Sequence, residues 1–226
     1  MASPRTLDVS FEDVTLRVTA KDVDHEEVRA VGMDVLERVQ SYGARHPEFA
    51  RSKGPIELPP DAPAFARRMA AAGAVAGVGP MYAFRGALVE FVGRALVAKG
   101  RKDVVVSCPG IWFVVTRKRI TLSVRSGRDA VPLSVVVKPE LGVHGVYSSL
   151  GREVDRVLPG HDDGVVVVAN SPTLAAAAAT AARAILTRRE SIGDTLAYLQ
   201  GLPGLFGAML VRGEHIGFAG GIELAA

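Results

Sequence analysis

The stretch that decides the fold class is "GVVVVANSPTLAAAAATAARAIL" (164–186), in which a run of valines meets a run of alanines. No charged residue occurs from Gly164 to Ala182. Valine favours strands because its branched side chain packs well on a pleated surface, and alanine is the best helix former. Ser171 suits the N-cap and Pro172 the first helical position. The stretch predicts a buried strand, a turn and a helix over 171–188.

The chain that flanks this unit on both sides is rich in predicted strands. Four runs with strand periodicity lie between Asp103 and Val137: "DVVVSC", "IWFVVTR", "RITLSVR" and "PLSVVV". Residues 207–224 predict a closing hairpin around Gly213–Glu214. The segment 145–163 between these groups is predicted to be mostly loop.

The first hundred residues are predicted to be mainly helical. After one or two strands within 7–20, Asp24 can cap a helix that cannot continue past Pro47. A Pro-rich loop follows, then a helix over Ala64–Val75, which "GVGP" (77–80) separates from a helix reaching about Lys99.

Clustered strands with helices on either side indicate an α+β fold rather than a βαβ repeat. We expect a single domain over 1–226, with N-terminal strands in 1–23, a helical part in 24–99 and a sheet-rich part in 103–226.

Composition excludes several classes of protein. The 226 residues are 48% hydrophobic, which suits a sizeable core, and one cysteine rules out an intramolecular disulfide framework. The N-terminus lacks a signal-like apolar region, and the long uncharged runs are broken by turn residues. We therefore expect a soluble, cytoplasmic protein. The net charge is +3 with dispersed basic residues, so neither nucleic acid nor membrane is an expected partner. A homo-oligomer remains open.

Three local patterns each allow a functional and a structural interpretation. "GVGP" (77–80) offers backbone amides to an anion, or forms a helix–helix corner. Cys108 is a reactive thiol only if a base or helix N-terminus lies nearby, and otherwise a small buried residue. The 161–163 segment "HDD", with Glu153 and Asp155, holds either a metal or only solvent.

Several segments, in chain order, resemble an uncharacterised prokaryotic family of ApbE-like proteins, relatives of the FAD:protein FMN transferases. The most specific is "AAAGAVAGVGPMYAFRGALVEFVGRAL" (70–96), which is similar to a helix, a Gly-Val-Gly-Pro-Met turn and a helix carrying a Glu, here Glu90. Further similar segments are "HPEF" (46–49), "GVYSSLG" (145–151), "VVVVANSPTLAAAAATAA" (165–182) and "MLVRGEHIGFAG" (209–220).

The resemblance implies an ApbE-like, T-fold-like arrangement of antiparallel sheets and packed helices. It also implies a site between a Gly-rich strand end, a Thr/Ser loop and the N-terminal part of the alanine helix. The candidate ligand contacts are Gly77, Gly79, Arg85, Ser148, Ser149, Gly151 and Thr180.

The chain departs from the family where the metal-binding relatives hold their cation. Those relatives carry an Asp and a Thr four residues apart on the alanine helix, and the matching positions are Ala176 and Thr180. In "SCPGI", Cys108 and Ile111 stand for an Asn and an Asp, and Asp155 stands for a His. Mg²⁺ prefers carboxylate oxygens. The resemblance thus implies a divergent member without a Mg²⁺ site, for which FAD or FMN is a candidate ligand and ordinary FMN transfer is not expected.

Three functions follow as hypotheses. The first is binding of a planar heteroaromatic ligand, such as a flavin, pterin or nucleotide, without the transferase chemistry. The second is an enzyme with a rebuilt site that uses Cys108, Asp155 and the 161–163 segment. The third is a structural or assembly subunit whose former site is filled by Ile111 and Trp112.

Overall fold

The computed structural model of the chain describes residues 3–11, 14–124, 133–150, 164–187 and 191–225. The strands are β1 (Arg5–Phe11), β2 (Val14–Ala20), β3 (Val104–Cys108), β4 (Ile111–Val115), β5 (Ile120–Val124), β6 (Leu133–Val137), β7 (His144–Ser148), β8 (Gly164–Ala169), β9 (Leu205–Arg212), β10 (His215–Gly220) and β11 (Leu224–Ala225). The helices are α1 (His25–Arg45), α2 (Pro47–Arg51), α3 (Ala64–Val75), α4 (Phe84–Ala98), α5 (Pro172–Thr187) and α6 (Ile192–Gln200), with short 3₁₀ turns at Pro80–Ala83 and Pro139–Leu141.

Eight strands form one sheet in the order β1-β2-β3-β4-β7-β8-β9-β10, and every neighbouring pair is antiparallel. Strands β5 and β6 leave this sheet and pair with β11 in a second, three-stranded sheet. Helices pack on one face of the large sheet and the small sheet on the other, which confirms the predicted α+β class.

The valine strand β8 lies inside the large sheet and is buried along its whole length. Val165 and Val167 face the helices, whereas Val166 and Val168 face the second sheet. Because both faces are covered, the strand shows no alternation of apolar and polar residues.

The alanine helix α5 lies directly against its neighbours, which explains its small side chains. A Cβ added to Gly145 on β7 would come within 2.0 Å of the Pro172 nitrogen. A Cβ added to Gly86 on α4 would come within 2.2 Å of the Pro172 oxygen. Larger residues would separate these backbones, so the alanine run is a close-packing surface.

Both predicted helix caps are present. Asp24 accepts a hydrogen bond from the Glu27 amide at 3.1 Å, and Ser171 accepts one from the Leu174 amide at 3.2 Å. The four strands within 103–137 and the closing hairpin also form as expected.

Two parts of the secondary structure differ from the sequence analysis. The segment 145–163 was expected to be mostly loop, but His144–Ser148 is strand β7, in the middle of the large sheet. This strand is short and buried on both faces, so it has neither length nor alternation to mark it. The sequence analysis also assigned no element to α6, which Ser191 caps.

Candidate functional site

The C-terminal ends of strands β1, β3 and β7 lie at the same edge of the large sheet, which we call the strand-end edge. Phe11 ends β1 and pairs with Val14, the first residue of β2. Cys108 ends β3 and pairs with Ile111, the first residue of β4. Ile111 pairs in turn with Tyr147, next to the end of β7. The ends of β1, β3 and β7 therefore lie at the same edge of the sheet.

A cleft of about 530 Å³ opens at the β1–β2 side of this edge. It is mostly apolar, and its size is in the range of small-molecule sites. Its lining comes from β1, β2, α1, α2, the 3₁₀ turn at Pro80–Ala83 and the start of α4: Phe11, Val14, Leu36, Val39, Gln40, Gly43, Ala44, Pro47, Ala50, Arg51, Met81 and Phe84. Two of the segments that carry the family resemblance, around "HPEF" and "GVGPM", thus contribute to one concave surface.

The "GVGP" turn lies beside the cleft, with its amides bonded inside the protein. The Val78 amide donates to the Gly73 carbonyl at 2.9 Å, and the Gly79 amide donates to the Lys53 carbonyl at 2.8 Å. A Cβ on Gly79 would come within 1.8 Å of the Ser52 oxygen, whereas Gly77 is required by its φ of +64°. This geometry gives the turn a helix–corner role. A ligand contact at Gly77 or Gly79 stays a prediction.

The predicted Ser loop adjoins the predicted Gly-rich strand end. The Ser148 amide donates to the Gly110 carbonyl at 2.8 Å, and the Ser148 hydroxyl accepts from the Leu150 amide at 3.1 Å. The Ser149 hydroxyl accepts from the Val165 amide at 2.9 Å. Both hydroxyls therefore hold the shape of the loop, and contact between either one and a ligand stays a prediction.

Tyr147, the residue before Ser148, contacts the second half of α5, and a site between the Ser loop and the N-terminal part of α5 stays a prediction. Arg183 donates from Nη1 to the Tyr147 hydroxyl at 3.3 Å. Pro172, at the start of the helix, lies instead over Gly145, two residues before Tyr147 on β7. The sequence did not single out Tyr147 or Arg183 as candidate site residues, because neither belongs to a recognisable functional motif. Only the position of β7 beside α5 brings them together.

Arg85 lies close both to a residue of the cleft and to Cys108. It is exposed, follows the cleft residue Phe84 and lies near enough to Cys108 for its charge to lower the pKa of that thiol. Burial has the larger effect, however, and raises the pKa of Cys108 to about 11. Cys108 is therefore a protonated, buried thiol at neutral pH, which favours the structural interpretation of this residue.

The residues that replace the family's metal ligands are apolar and buried. Ile111 lies between Cys108 and Tyr147 on the helix-facing side of the sheet. Ala176 is buried on α5, and its carbonyl accepts a hydrogen bond from the Thr180 hydroxyl at 3.0 Å. Across the ranges that the structure describes, no group of three His, Cys, Asp or Glu side chains could hold a metal ion. Ile111 and Ala176 have no side-chain oxygen, and the Thr180 hydroxyl is bonded to its own helix, so these positions do not fit Mg²⁺.

The assembly hypothesis placed both Ile111 and Trp112 in the former site, and the structure separates them. Ile111 faces the helices, whereas Trp112 packs on the opposite face, against the second sheet. Successive residues of a strand point to opposite faces, so the pair cannot fill one site. Gly151, Asp155 and the 161–163 segment lie outside the described residues.

Glu90 is a fully buried carboxylate on α4 with three partners. Its Oε1 accepts from Arg68 at 2.6 Å and from Arg94 at 2.7 Å, and its Oε2 accepts from the Thr173 hydroxyl at 2.5 Å. The bond to Thr173 ties α4 to the first turn of α5. The arrangement fits a structural role for the Glu that the family resemblance singled out.

The fold and the strand-end edge define the class of protein: an α+β protein with the architecture of the ApbE flavin transferases. The structure is similar to flavin transferase ApbE from Vibrio cholerae, with a TM-score of 0.62, 11% identity and coverage of 96% of this chain and 97% of that one. It is similar to Pseudomonas stutzeri flavinyl transferase ApbE, with a TM-score of 0.62, 14% identity and coverage of 96% and 94%.

The chain belongs to the family described as AbpE bacteria, whose model matches residues 1–193. Its relatives include a UPF0280 protein of Methanococcus aeolicus, 31% identical over 81% of this chain and 77% of the relative. A UPF0280 protein of Methanosarcina barkeri is 28% identical over 93% and 84%. Within the described part of the chain, no helix is long and apolar enough to cross a membrane.

Proposed function

We propose that this protein binds a planar heteroaromatic ligand that carries a phosphate or a carboxylate, a flavin nucleotide foremost, without magnesium-dependent FMN transfer. The observation that carries the proposal is the apolar cleft at the strand-end edge, with Arg85 directly after its lining residue Phe84. Phe11, Phe84 and Met81 provide flat or adaptable apolar contacts for a ring system.

Two arginines near the cleft suit the anionic part of such a ligand. Arg51 lines the cleft. Arg85 comes directly after the lining residue Phe84 and lies near Cys108, and both arginines are exposed. A guanidinium group binds phosphate or carboxylate through paired donors. Strands β2 and β7 are three strand spacings, or about 14 Å, apart, which is the length that a ligand reaching from the cleft to the Ser loop would have to span.

The chemistry of the edge argues for binding without the metal-dependent transfer of the structural relatives. Ile111 and Ala176 supply no oxygen ligand from their side chains, and Thr180 is bonded to its own helix. The buried Cys108 thiol is not a ready nucleophile, because its pKa is raised to about 11.

The first experiment identifies what the protein carries. Protein purified without denaturants is then denatured, and the released small molecules are identified by mass spectrometry. A stoichiometric flavin, pterin or nucleotide supports the proposal. The protein is then titrated with riboflavin and with FMN, followed by flavin fluorescence. Tighter binding of FMN is expected, because only FMN has a phosphate.

Paired variants locate the site. Ala44 lines the cleft on α1, whereas Ser41 is exposed on the same helix outside it. Ala44→Trp should block binding and Ser41→Trp should not. Arg85→Gln should weaken FMN binding at least 10-fold (about 1.4 kcal/mol) and leave riboflavin binding unchanged. Arg29→Gln, on an exposed part of α1, is the charge-matched control. The proposal is wrong if no ligand is released and neither flavin binds.

A further inference from the structure

We propose that strand β10 pairs with the β10 strand of a second copy of this chain, antiparallel across a two-fold axis at Gly217. The partner is a second copy because the strand is complementary to itself in one register. This inference is independent of the proposed ligand.

Among the residues that the structure describes, three large hydrophobic side chains are exposed, and two of them lie next to each other on β10. Ile216 is 59% exposed and Phe218 is 52% exposed. They point to one face of the strand, since they are two residues apart, while Gly217 between them faces Ile192 and Leu196. Together they form an apolar strip on the last strand of the sheet.

Strand β10 ends the large sheet as the described residues form it, and nothing in its own sequence guards that edge. Its residues, "HIGFAG" (215–220), include no Lys, Arg, Asp, Glu or Pro. At the other end of the sheet, β1 carries Arg5 and Asp8, and Asp8 is paired with Arg17. Charge and proline are two of the devices that keep an edge strand single, and β10 has neither, so the contrast favours pairing of β10 with another strand.

The hairpin geometry determines which backbone groups face outward. Arg212 and His215 flank the two-residue turn as a directly opposed pair, and such flanking residues exchange hydrogen bonds. Bonding alternates along the ladder, so Gly217 also bonds inward to Leu210. The amide and carbonyl groups of Ile216 and Phe218 therefore point to the open side.

Several symmetric registers could use these outward groups, but only the one centred on Gly217 pairs Ile216 with Phe218 on both sides. In this register Ile216 exchanges hydrogen bonds with the other copy's Phe218, and Phe218 with its Ile216. Each isoleucine then lies beside a phenylalanine on the same face, and β-branched and aromatic side chains form a favourable cross-strand pair. The strand therefore matches itself in backbone bonding and in side-chain contact.

Sedimentation velocity tests the dimer. A single strand contact makes a small interface, so we expect a reversible dimer with a Kd in the micromolar range. Ile216→Lys and Phe218→Lys should each give a monomer. Tyr82→Lys, which replaces the other large exposed hydrophobic, 43% exposed, should leave the dimer intact. A wild-type protein that stays monomeric overturns the proposal, and so does a dimer that survives both β10 variants.

Cross-linking tests the register. When Ile216→Cys and Phe218→Cys proteins are mixed and oxidised, a disulfide-linked heterodimer should form several-fold faster than either homodimer. The native Cys108 is buried and does not compete. Homodimers that form as fast as the heterodimer overturn the register.

Discussion

Glu90 offers the sharpest test of how the helices are held together, through the isosteric change Glu90→Gln. The glutamine fills the same volume but removes the charge that Arg68 and Arg94 bind. A net contribution of about 1.5–3 kcal/mol is typical of one hydrogen bond to a charged group. Both arginines are 41% exposed, so water compensates in part. We expect the free energy of unfolding to fall by about 2–4 kcal/mol.

Urea unfolding at neutral pH measures this effect. With a slope near 3 kcal/mol/M, the transition midpoint should fall by about 1 M. The control is Glu57→Gln, which removes an exposed carboxylate and should change stability by less than about 0.5 kcal/mol. Glu90→Gln and Thr173→Val should be non-additive, because the Thr173 hydroxyl donates to the Glu90 carboxylate. If Glu90→Gln unfolds like the control, the inferred structural role of this network is wrong.

Three other expectations address packing, reactivity and pH. Gly79→Ala should destabilise the protein by about 1–3 kcal/mol in thermal or urea unfolding, because the added Cβ would overlap the Ser52 oxygen. Gly54→Ala is the control: its Cβ would meet no atom, so the free energy of unfolding should not change. Cys108 should react with iodoacetamide about 100-fold more slowly in the native than in the unfolded chain, because its pKa is about 11 instead of 9.0; equal rates would contradict this. Burial lowers the pKa of His144, so below pH 6.5 the unfolded chain binds a proton that the folded chain does not. Stability should therefore fall with decreasing pH, and His144→Gln should reduce that slope in a series of urea titrations.

Local patterns were sufficient for most elements. The valine and alanine runs, the caps at Asp24 and Ser171 and the two-residue turn at Gly213–Glu214 each depend on a few neighbouring residues, and each forms as expected. Strand β7 was not predicted, because its position is determined by pairing with the strands on either side of it, β4 and β8. Its sequence, "HGVYS", has no periodicity that a local analysis can use.

The candidate site was only partly accessible to the sequence. The family resemblance selected the "HPEF" and "GVGPM" segments, and the structure shows that residues at both line one cleft. It did not select Phe11, Val14 or Arg183, because their relevance comes from strand register and helix packing. Ile111 and Trp112, adjacent in sequence, were grouped although strand geometry places them on opposite faces.

The sequence by itself determined the α+β class, the positions of most strands and helices and the apolar side chains at positions 111 and 176. These properties depend on residue type and on short-range spacing, which the chain carries before it folds. Only the tertiary structure decided that the ends of β1, β3 and β7 share one edge, that Arg85 is close to Cys108, and that β10 is the last strand of the large sheet formed by the described residues. Such facts arise because pairing between distant strands brings together residues that no local pattern connects.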